Sequence, residues 1–327
     1  MKVLVCGGAG YIGSNMTAML ASQGYNPVVF DNFCKGHRQA VKEFEVVEGD
    51  TGDFDLLVKV LKKKKIDAVM HFAGFIEVKE SVEKPLEYYR NNVCNTQVLL
   101  SAMEKTGVKK FVFSSSAAVY GMPEVVPITE DSPKKPINPY GQTKLTVEDR
   151  CHFLSEAGKL NYAALRYFNA AGAGTNCTLG EDHKPESHLI PLVIAAAMGK
   201  REDIKIFGTD YPTPDGTCVR DYIHIEDLCS AHLLALEKLE KHSELIYNLG
   251  NGKGHSIRQV IETVKKVSGK NFKVTETARR EGDPPVLTAD ASKAIKELGW
   301  KTKYPELEKI VETAWKWHNK YPNGYAE

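Results

Sequence analysis

This chain predicts an α/β fold: a doubly wound parallel sheet with a smaller, interleaved α/β part towards the C-terminus. Three observations carry that reading. Val3-Leu4-Val5-Cys6 is a short apolar run that breaks into Gly7-Gly8-Ala9-Gly10-Tyr11-Ile12-Gly13 and then into an amphipathic segment from residue 14 to about 23. Apolar run, glycine turn and helix, in that order, make a phosphate-cradling βα unit. Strand and helix patterns then alternate through the first half, which predicts a parallel sheet covered by helices on both faces. Finally, the apolar runs end in small or polar residues, namely Gly7, Asp31, Asp50, Ala73 and Ser116. Ligands of such sheets sit outside the carboxyl ends of the strands.

Taken in order, Gly7 serves the tight turn after the first strand, Gly10 a close approach of backbone to a pyrophosphate, and Gly13 the seating of the helix. The helix N-terminus then directs free N–H groups at the anion. Residues 27–30 form a second strand ending in Asp31, eighteen positions after Gly13, where an acid suits ribose hydroxyls. A polar loop, 32–39, leads to a strand at 44–48, a helix at 56–61 and a buried strand at 68–72. A helix carrying Tyr88, Val93, Val98, Leu99 and Met103 follows. Phe111-Val112-Phe113 is a strand that runs into Ser114-Ser115-Ser116. From about Ala170 the alternation stops, and Pro- and Gly-rich loops at 174–186 and 208–216 suggest a covering part. Residues 225–239 read as a helix, and 245–249 as a strand returning to the first sheet. The domain reading is therefore a Rossmann-type dinucleotide-binding unit at 1–170, receiving segments near 221–250, and a substrate-binding unit at 171–327.

Composition excludes several functions. Lys plus Arg is 43 and Asp plus Glu is 42, so a net charge of +1 gives no electrostatic case for nucleic acid or membrane as partner. Lys62 to Lys65 close a helix and read as its solvated end. The seven cysteines are odd in number and never in a C-x-x-C pair, which indicates reduced thiols in a reducing compartment. The N-terminus lacks signal-peptide features, and the longest near-apolar stretch, 189–198, contains Pro191 and is too short to span a bilayer. A soluble cytoplasmic protein is expected.

The chemistry centres on Asn138-Pro139-Tyr140-Gly141-Gln142-Thr143-Lys144. Tyr140 and Lys144 are four apart and share one helix face. A free phenol has a pKa near 10, and an ammonium one turn away, with a cationic nicotinamide nearby, would favour the phenolate. Ser116, at a strand end upstream, suits a shared proton path to a substrate hydroxyl.

With these residues in view, the sequence resembles the extended short-chain dehydrogenase/reductase family, and within it the nucleotide-sugar 4-epimerases. The likeness runs over nearly the whole chain, through Asp31-Asn32, Gly49-Asp50, His71-Phe72-Ala73-Gly74, residues 84–89, Arg166-Tyr167-Phe168-Asn169, Gly180-Glu181-Asp182, residues 215–224, Asn248-Leu249-Gly250 and residues 279–283. It implies an isomerase that interconverts UDP-glucose and UDP-galactose with bound NAD. Tyr140, assisted by Ser116 and Lys144, takes the proton of the sugar 4-hydroxyl as hydride leaves C4, and the 4-keto sugar is reduced again from its other face. The resemblance further implies cofactor contacts from Gly7, Gly10, Tyr11, Ile12, Gly13, Asp31, Asn32, Asp50, Thr51, Phe72, Ala73, Gly74, Asn91, Ser114, Tyr140, Lys144 and Tyr167. UDP-sugar contacts are implied for Ser116, Tyr140, Asn169, His188, Leu189, Phe207, Arg220, Tyr222, Arg280, Asp283 and Leu287. The arginines suit a diphosphate because a guanidinium binds two oxygens at once; Arg280 and Asp283 are alternatively partners of each other. Related enzymes pair two helices across a two-fold axis, which implies a homodimer.

The chain departs from the family pattern at Ala118, often Thr; at Ile76, where a Lys touches the cofactor; and at Leu287, where a Tyr walls the sugar pocket. The shorter Leu287 suggests side activity on the UDP-GlcNAc/UDP-GalNAc pair. Ala117-Ala118 replaces the Asp-Glu pair of 4,6-dehydratases, and UDP-glucuronate decarboxylases place a Glu at the second position. A UDP-hexuronate or UDP-pentose 4-epimerase shares the catalytic groups and is the alternative. Asp31 would repel a 2′-phosphate, which favours NAD over NADP although Lys35, His37 and Arg38 follow it. His71, His183 and His188 show no ligand spacing with a Cys or acid, so no metal is expected.

Overall fold

The opening apolar run is β1 (Lys2–Cys6), an inner strand in a computed structural model that describes residues 1–280 and 282–325. Glu281, within the 279–283 motif, lies outside the described residues. Val3 and Val5 of β1 enter one core layer and Leu4 and Cys6 the other, so the strand is buried on both faces. That is why it reads as a continuous apolar run and not as an alternating one. Then come α1 (Tyr11–Ser22), β2 (Asn26–Asp31), β3 (Glu45–Glu48), α2 (Phe54–Lys64) and β4 (Ala68–His71). Asp53 caps α2 by accepting from the Leu56 amide, and Lys62, Lys63 and Lys64 occupy its last turn.

The segment after β4 comprises α3 (Val78–Glu83), α4 (Pro85–Tyr88), a π-helical turn at Tyr89–Cys94 and α5 (Asn95–Thr106). β5 (Lys110–Ser116) extends through all three serines. A 3₁₀ turn, Ala117–Tyr120, follows, and after a long loop come α6 (Pro139–Glu156) and β6 (Asn161–Tyr167).

The second half contains β7 (Asn169–Ala171), α7 (Leu189–Ala197), β8 (Asp203–Phe207), β9 (Val219–His224), α8 (Ile225–Lys238), β10 (Glu244–Leu249) and β11 (Gly254–Ser256). α9 (Ile257–Ser268), β12 (Lys273–Thr277), β13 (Val286–Leu287), α10 (Ser292–Leu298) and α11 (Leu307–Lys320) complete it. The expectation that regular alternation stops near Ala170 is corrected here. Val260, Ile261 and Val264 on α9, and Leu307, Ile310, Val311 and Ala314 on α11, stand at helical spacing and bury one face each. The charged residues between them form the opposite, solvent-facing side of each helix.

The main sheet has seven parallel strands in the order β10-β6-β5-β4-β1-β2-β3. The chain winds outward from β1 to β3, crosses back to β4, and winds outward the other way. The crevice between the ends of β1 and β4 is therefore the topological switch point, where such sheets bind ligands. β7, β9, β11 and β13 form a second sheet, and β8 and β12 a parallel pair.

Candidate active site

The glycine turn lies at the switch point. Gly7 has φ +74°, and a Cβ there would stand 2.4 Å from the Ala73 amide nitrogen, so the turns after β1 and β4 touch. A Cβ on Gly13 would meet the Gly7 carbonyl oxygen at 2.1 Å, which fixes the helix against the turn. Gly10, the N-cap of α1, is open: its Cβ would meet only the Gly7 oxygen, at 3.4 Å. No side chain caps α1, so its first-turn amides remain available to an anion. This is the cradle a dinucleotide pyrophosphate fits. Tyr11 is turned away, donating its hydroxyl to the Gly172 carbonyl at 2.8 Å, and Ile12 packs on the core.

Asp31 ends β2. Its carboxylate accepts from the amides of Ala9 (2.9 Å) and Phe33 (2.8 Å), and burial raises its pKa. Asn32 and Asn95 donate to Asp50, beside the buried Thr51. The three basic residues after Asp31 have protein partners. Lys35 donates to the Lys184 carbonyl, His37 bonds the Asp182 carbonyl at 2.7 Å, and Arg38 pairs with Glu48 at 2.7 Å. Phe72, Ala73 and Gly74 follow β4, and the Gly74 backbone lies near Lys144 Nζ. Asn91 donates to Asn92 at 2.9 Å, and Ser114 and Tyr167 share a short hydroxyl contact at neighbouring strand ends.

Tyr140 and Lys144 lie on the first two turns of α6, which Pro139 starts and Asn138 caps by accepting from the Gly141 amide at 2.9 Å. Lys144 is buried, donates to the Ser114 carbonyl at 2.7 Å, and stands 5.8 Å from the Tyr140 ring centroid. Burial pulls its pKa down to about 8. The expected lowering of the phenol pKa combines the lysine with a cationic nicotinamide, and the chain's own groups do not supply it alone. Burial dominates and raises Tyr140 above its ordinary value, the Ser116 hydroxyl draws it down by hydrogen bonding, and Glu77 raises it. The ammonium is directed at a strand-end carbonyl instead of the phenol oxygen.

Asn169, His188, Leu189, Phe207, Arg220, Tyr222, Arg280 and Asp283 converge on one cavity of about 320 Å³ beside this centre. Ser116, Tyr140 and Leu287 are not among its lining residues. Leu287 sits beside Arg220 in the sheet register and packs near Ala117, Val119 and Tyr120. Asp283 pairs with Arg220 (3.3 Å), not with Arg280, whose guanidinium stacks on Phe207 at 3.9 Å. Sequence reasoning missed Asn92. It is buried in the π-helical turn, holds both backbone groups of Phe75 and donates to Thr143 on α6. A π-turn has no sequence period to betray it.

The loop between β7 and α7 holds a further surprise. Glu181, His183, Glu186 and His188 bring one ligand atom each to within 4.8 Å of one another. The expectation that His183 and His188 share no ligand arrangement with an acid does not hold, because an irregular loop gathers what no helix or strand spacing would. His71 stays apart, bonded to Thr96 at 2.8 Å.

Comparison with known proteins agrees with this geometry. The profile of the NAD dependent epimerase/dehydratase family matches residues 3–250. A UDP-glucose 4-epimerase of Halalkalibacterium halodurans is 50% identical over 327 residues, covering 100% of this chain and 98% of that protein. The crystal structure of UDP-glucose 4-epimerase from Brucella ovis in complex with NAD superposes with a TM-score of 0.94 at 49% identity, over 96% of this chain and 97% of that one. That of the Bifidobacterium longum enzyme in complex with NAD⁺ and UDP gives 0.95 at 40% identity, over 99% and 100%. A profile match over most of the chain, together with near-end-to-end identity of this size, shows that the chain belongs to the NAD dependent epimerase/dehydratase family.

Proposed function

We propose that this chain is a NAD-dependent UDP-glucose/UDP-galactose 4-epimerase, an isomerase. The observation that carries the reading is the position of Tyr140, Ser116 and Lys144 at the ends of β5 and α6, beside the glycine-turn crevice and an arginine-bearing cavity. The glycine turn, the α1 amides, Asp31, Asn32, Asp50 and Thr51 would hold NAD, with Phe72 to Gly74, Asn91, Ser114 and Tyr167 around its reactive end. When bound, NAD accepts hydride from C4 of the sugar, returns it to the opposite face, and adds positive charge near the phenol.

Tyr140 Oη is the group that takes and returns the 4-hydroxyl proton, and Ser116 Oγ orients that hydroxyl. Lys144 fixes the end of β5 through the Ser114 carbonyl and supplies a nearby cation. Arg220 and Arg280 face the diphosphate, and Asn169, His188, Leu189, Phe207, Tyr222 and Asp283 shape the nucleotide pocket. In this reading residues 1–170 bind the cofactor and the later part binds the UDP-sugar. A homodimer through α3, α4 and α6 is supported by exposed Val82 (61%), Leu86 (83%) and Phe153 (66%) on those helices. The seven cysteines are free thiols, which fits a cytoplasmic setting.

The test is incubation of purified protein with UDP-galactose, without added cofactor, and separation of the epimers. Turnover is expected, and Tyr140→Phe is expected to lose it by several orders of magnitude while keeping fold and NAD. Near-normal turnover in that variant rejects the assignment of the base.

A further inference from the structure

The geometry points to a binding site for a divalent transition-metal ion of the Zn²⁺ class, formed by Glu181, His183, Glu186 and His188 in the loop before α7. The site shares His188 with the proposed nucleotide pocket, but it uses none of Ser116, Tyr140 and Lys144. Both histidines present Nδ1 to the carboxylates. His188 Nδ1 lies 2.9 Å from Glu181 Oε1 and 3.0 Å from Glu186 Oε1; His183 Nδ1 lies 3.2 Å from Glu181 Oε1 and 3.8 Å from Glu186 Oε2. A tetrahedron with metal–ligand bonds of ~2.0–2.2 Å has edges of ~3.3–3.6 Å. The four histidine–carboxylate edges straddle that length, and all four ligand atoms lie within 4.8 Å of one another.

A second observation concerns His183, which also lies at ion-pair distance from both carboxylates. His183 Nδ1 is buried and makes no hydrogen bond of acceptable direction, although Glu181 Oε1 is 3.2 Å away. A cation at the centre satisfies that nitrogen, and two carboxylates balance its charge. Paired imidazole and carboxylate ligands suit Zn²⁺, Co²⁺ or Ni²⁺ and not Mg²⁺ or Ca²⁺. The ligands are also held in place. Glu181 is 5% exposed, Glu186 Oε1 accepts from the amides of Ser187 and His188, and the intervening Asp182 accepts from the Tyr325 amide. Four protein ligands make a closed, structural site. Because Glu181 and His188 also line the arginine-bearing cavity, the ion ties down one wall of it.

The test uses the full-length chain without an affinity tag, stripped by chelator and dialysed. It is titrated with Co²⁺, followed by visible absorption, and with Zn²⁺ by calorimetry. One ion per chain is expected, with the intense spectrum of four-coordinate Co²⁺ and a raised melting temperature. His183→Ala, or His183→Gln if the first fails to fold, is expected to bind at least tenfold more weakly. His152→Ala, which removes a surface histidine beside Glu156 and Glu244, is expected to bind as wild type. Sub-stoichiometric binding, a weak six-coordinate spectrum, a His183 variant that binds as wild type, or loss of binding in His152→Ala each overturns the assignment. None of these readouts depends on epimerase turnover.

Discussion

Replacing Glu148 by glutamine tests how the helix bearing Tyr140 and Lys144 is fixed to the sheet. Glu148 and Arg166 are 3% and 1% exposed, on α6 and β6. One carboxylate oxygen accepts from the Ser115 hydroxyl and from Arg166 Nε at 3.0 Å; the other accepts from Nε at 3.2 Å and Nη2 at 2.6 Å. Arg166 Nη1 continues to the Tyr120 hydroxyl at 2.8 Å, which donates to Asn248 at 2.7 Å. Glutamine keeps the volume but leaves a buried guanidinium without its counter-charge. Breaking such a pair costs about 3–5 kcal/mol. With an unfolding entropy of ~2.1 cal/mol/K per residue, this chain loses roughly 0.7 kcal/mol of stability per degree near its midpoint, so the variant is expected to melt about 4–7 °C lower. The double variant Glu148→Met/Arg166→Met removes both charges and is expected to recover at least half of that loss, since apolar replacement of a whole pair is often near neutral. Calorimetric melting at pH 7, with nucleotide content matched between proteins, reads both. A Glu148→Gln shift below about 1 °C, or a double variant that melts no higher than Glu148→Gln, refutes the reasoning.

Gly10→Ala is expected to keep the fold, because its Cβ meets nothing closer than 3.4 Å, and to weaken NAD binding at least tenfold, whereas Gly13→Ala, with its Cβ 2.1 Å from the Gly7 oxygen, is expected to lower stability as well; bound NAD after purification and melting temperature separate them. Burial holds His224 and His232 neutral, each pushed down to about 4 from an ordinary 6.5. The unfolded chain therefore binds more protons between those values, so stability is kept above pH 6.5 and lost as pH falls towards 4. His232→Phe is expected to flatten that slope, and an unchanged slope in melting temperature against pH counts against the assignment. Leu287→Tyr is expected to reduce turnover of the UDP-GlcNAc/UDP-GalNAc pair more than that of UDP-glucose/UDP-galactose, because a steric pocket discriminates by ~1–3 kcal/mol per methylene-sized group; equal effects on both pairs, or no N-acetylhexosamine turnover in wild type, remove it as the gate.

Features written in neighbouring residues were legible before the structure. The turn from Gly7 to Gly13 follows from the steric demands of glycine, the buried β1 from its unbroken apolar run, and the single face shared by Tyr140 and Lys144 from a separation of four. Features assembled across the fold were not. Asn92 works from a π-turn, Arg166 finds Glu148 across a strand and a helix, and the four loop ligands around His183 obey no repeat. The amphipathic faces of α9 and α11 were present in the sequence, with lysines and glutamates on the opposite side of each helix.

The tyrosine shows where spacing stops being informative. A separation of four residues places an ammonium one turn from a phenol, and that much was correct. What the chain's own groups do to the phenol's pKa depends on two quantities that the spacing does not contain. One is desolvation, which acts against the phenolate and is the largest effect at Tyr140. The other is where the ammonium aims. Lys144 Nζ is 2.7 Å from the Ser114 carbonyl and 5.8 Å from the tyrosine ring centroid, so part of its charge stabilises a strand end. Both follow from α6 packing onto β5, a packing made by Val147 and Cys151 in the core and by Glu148 with Ser115 and Arg166, residues with no chemistry of their own in the reaction. The site's electrostatics are thus a property of the fold's interior, whereas its residue identities are a property of the motif.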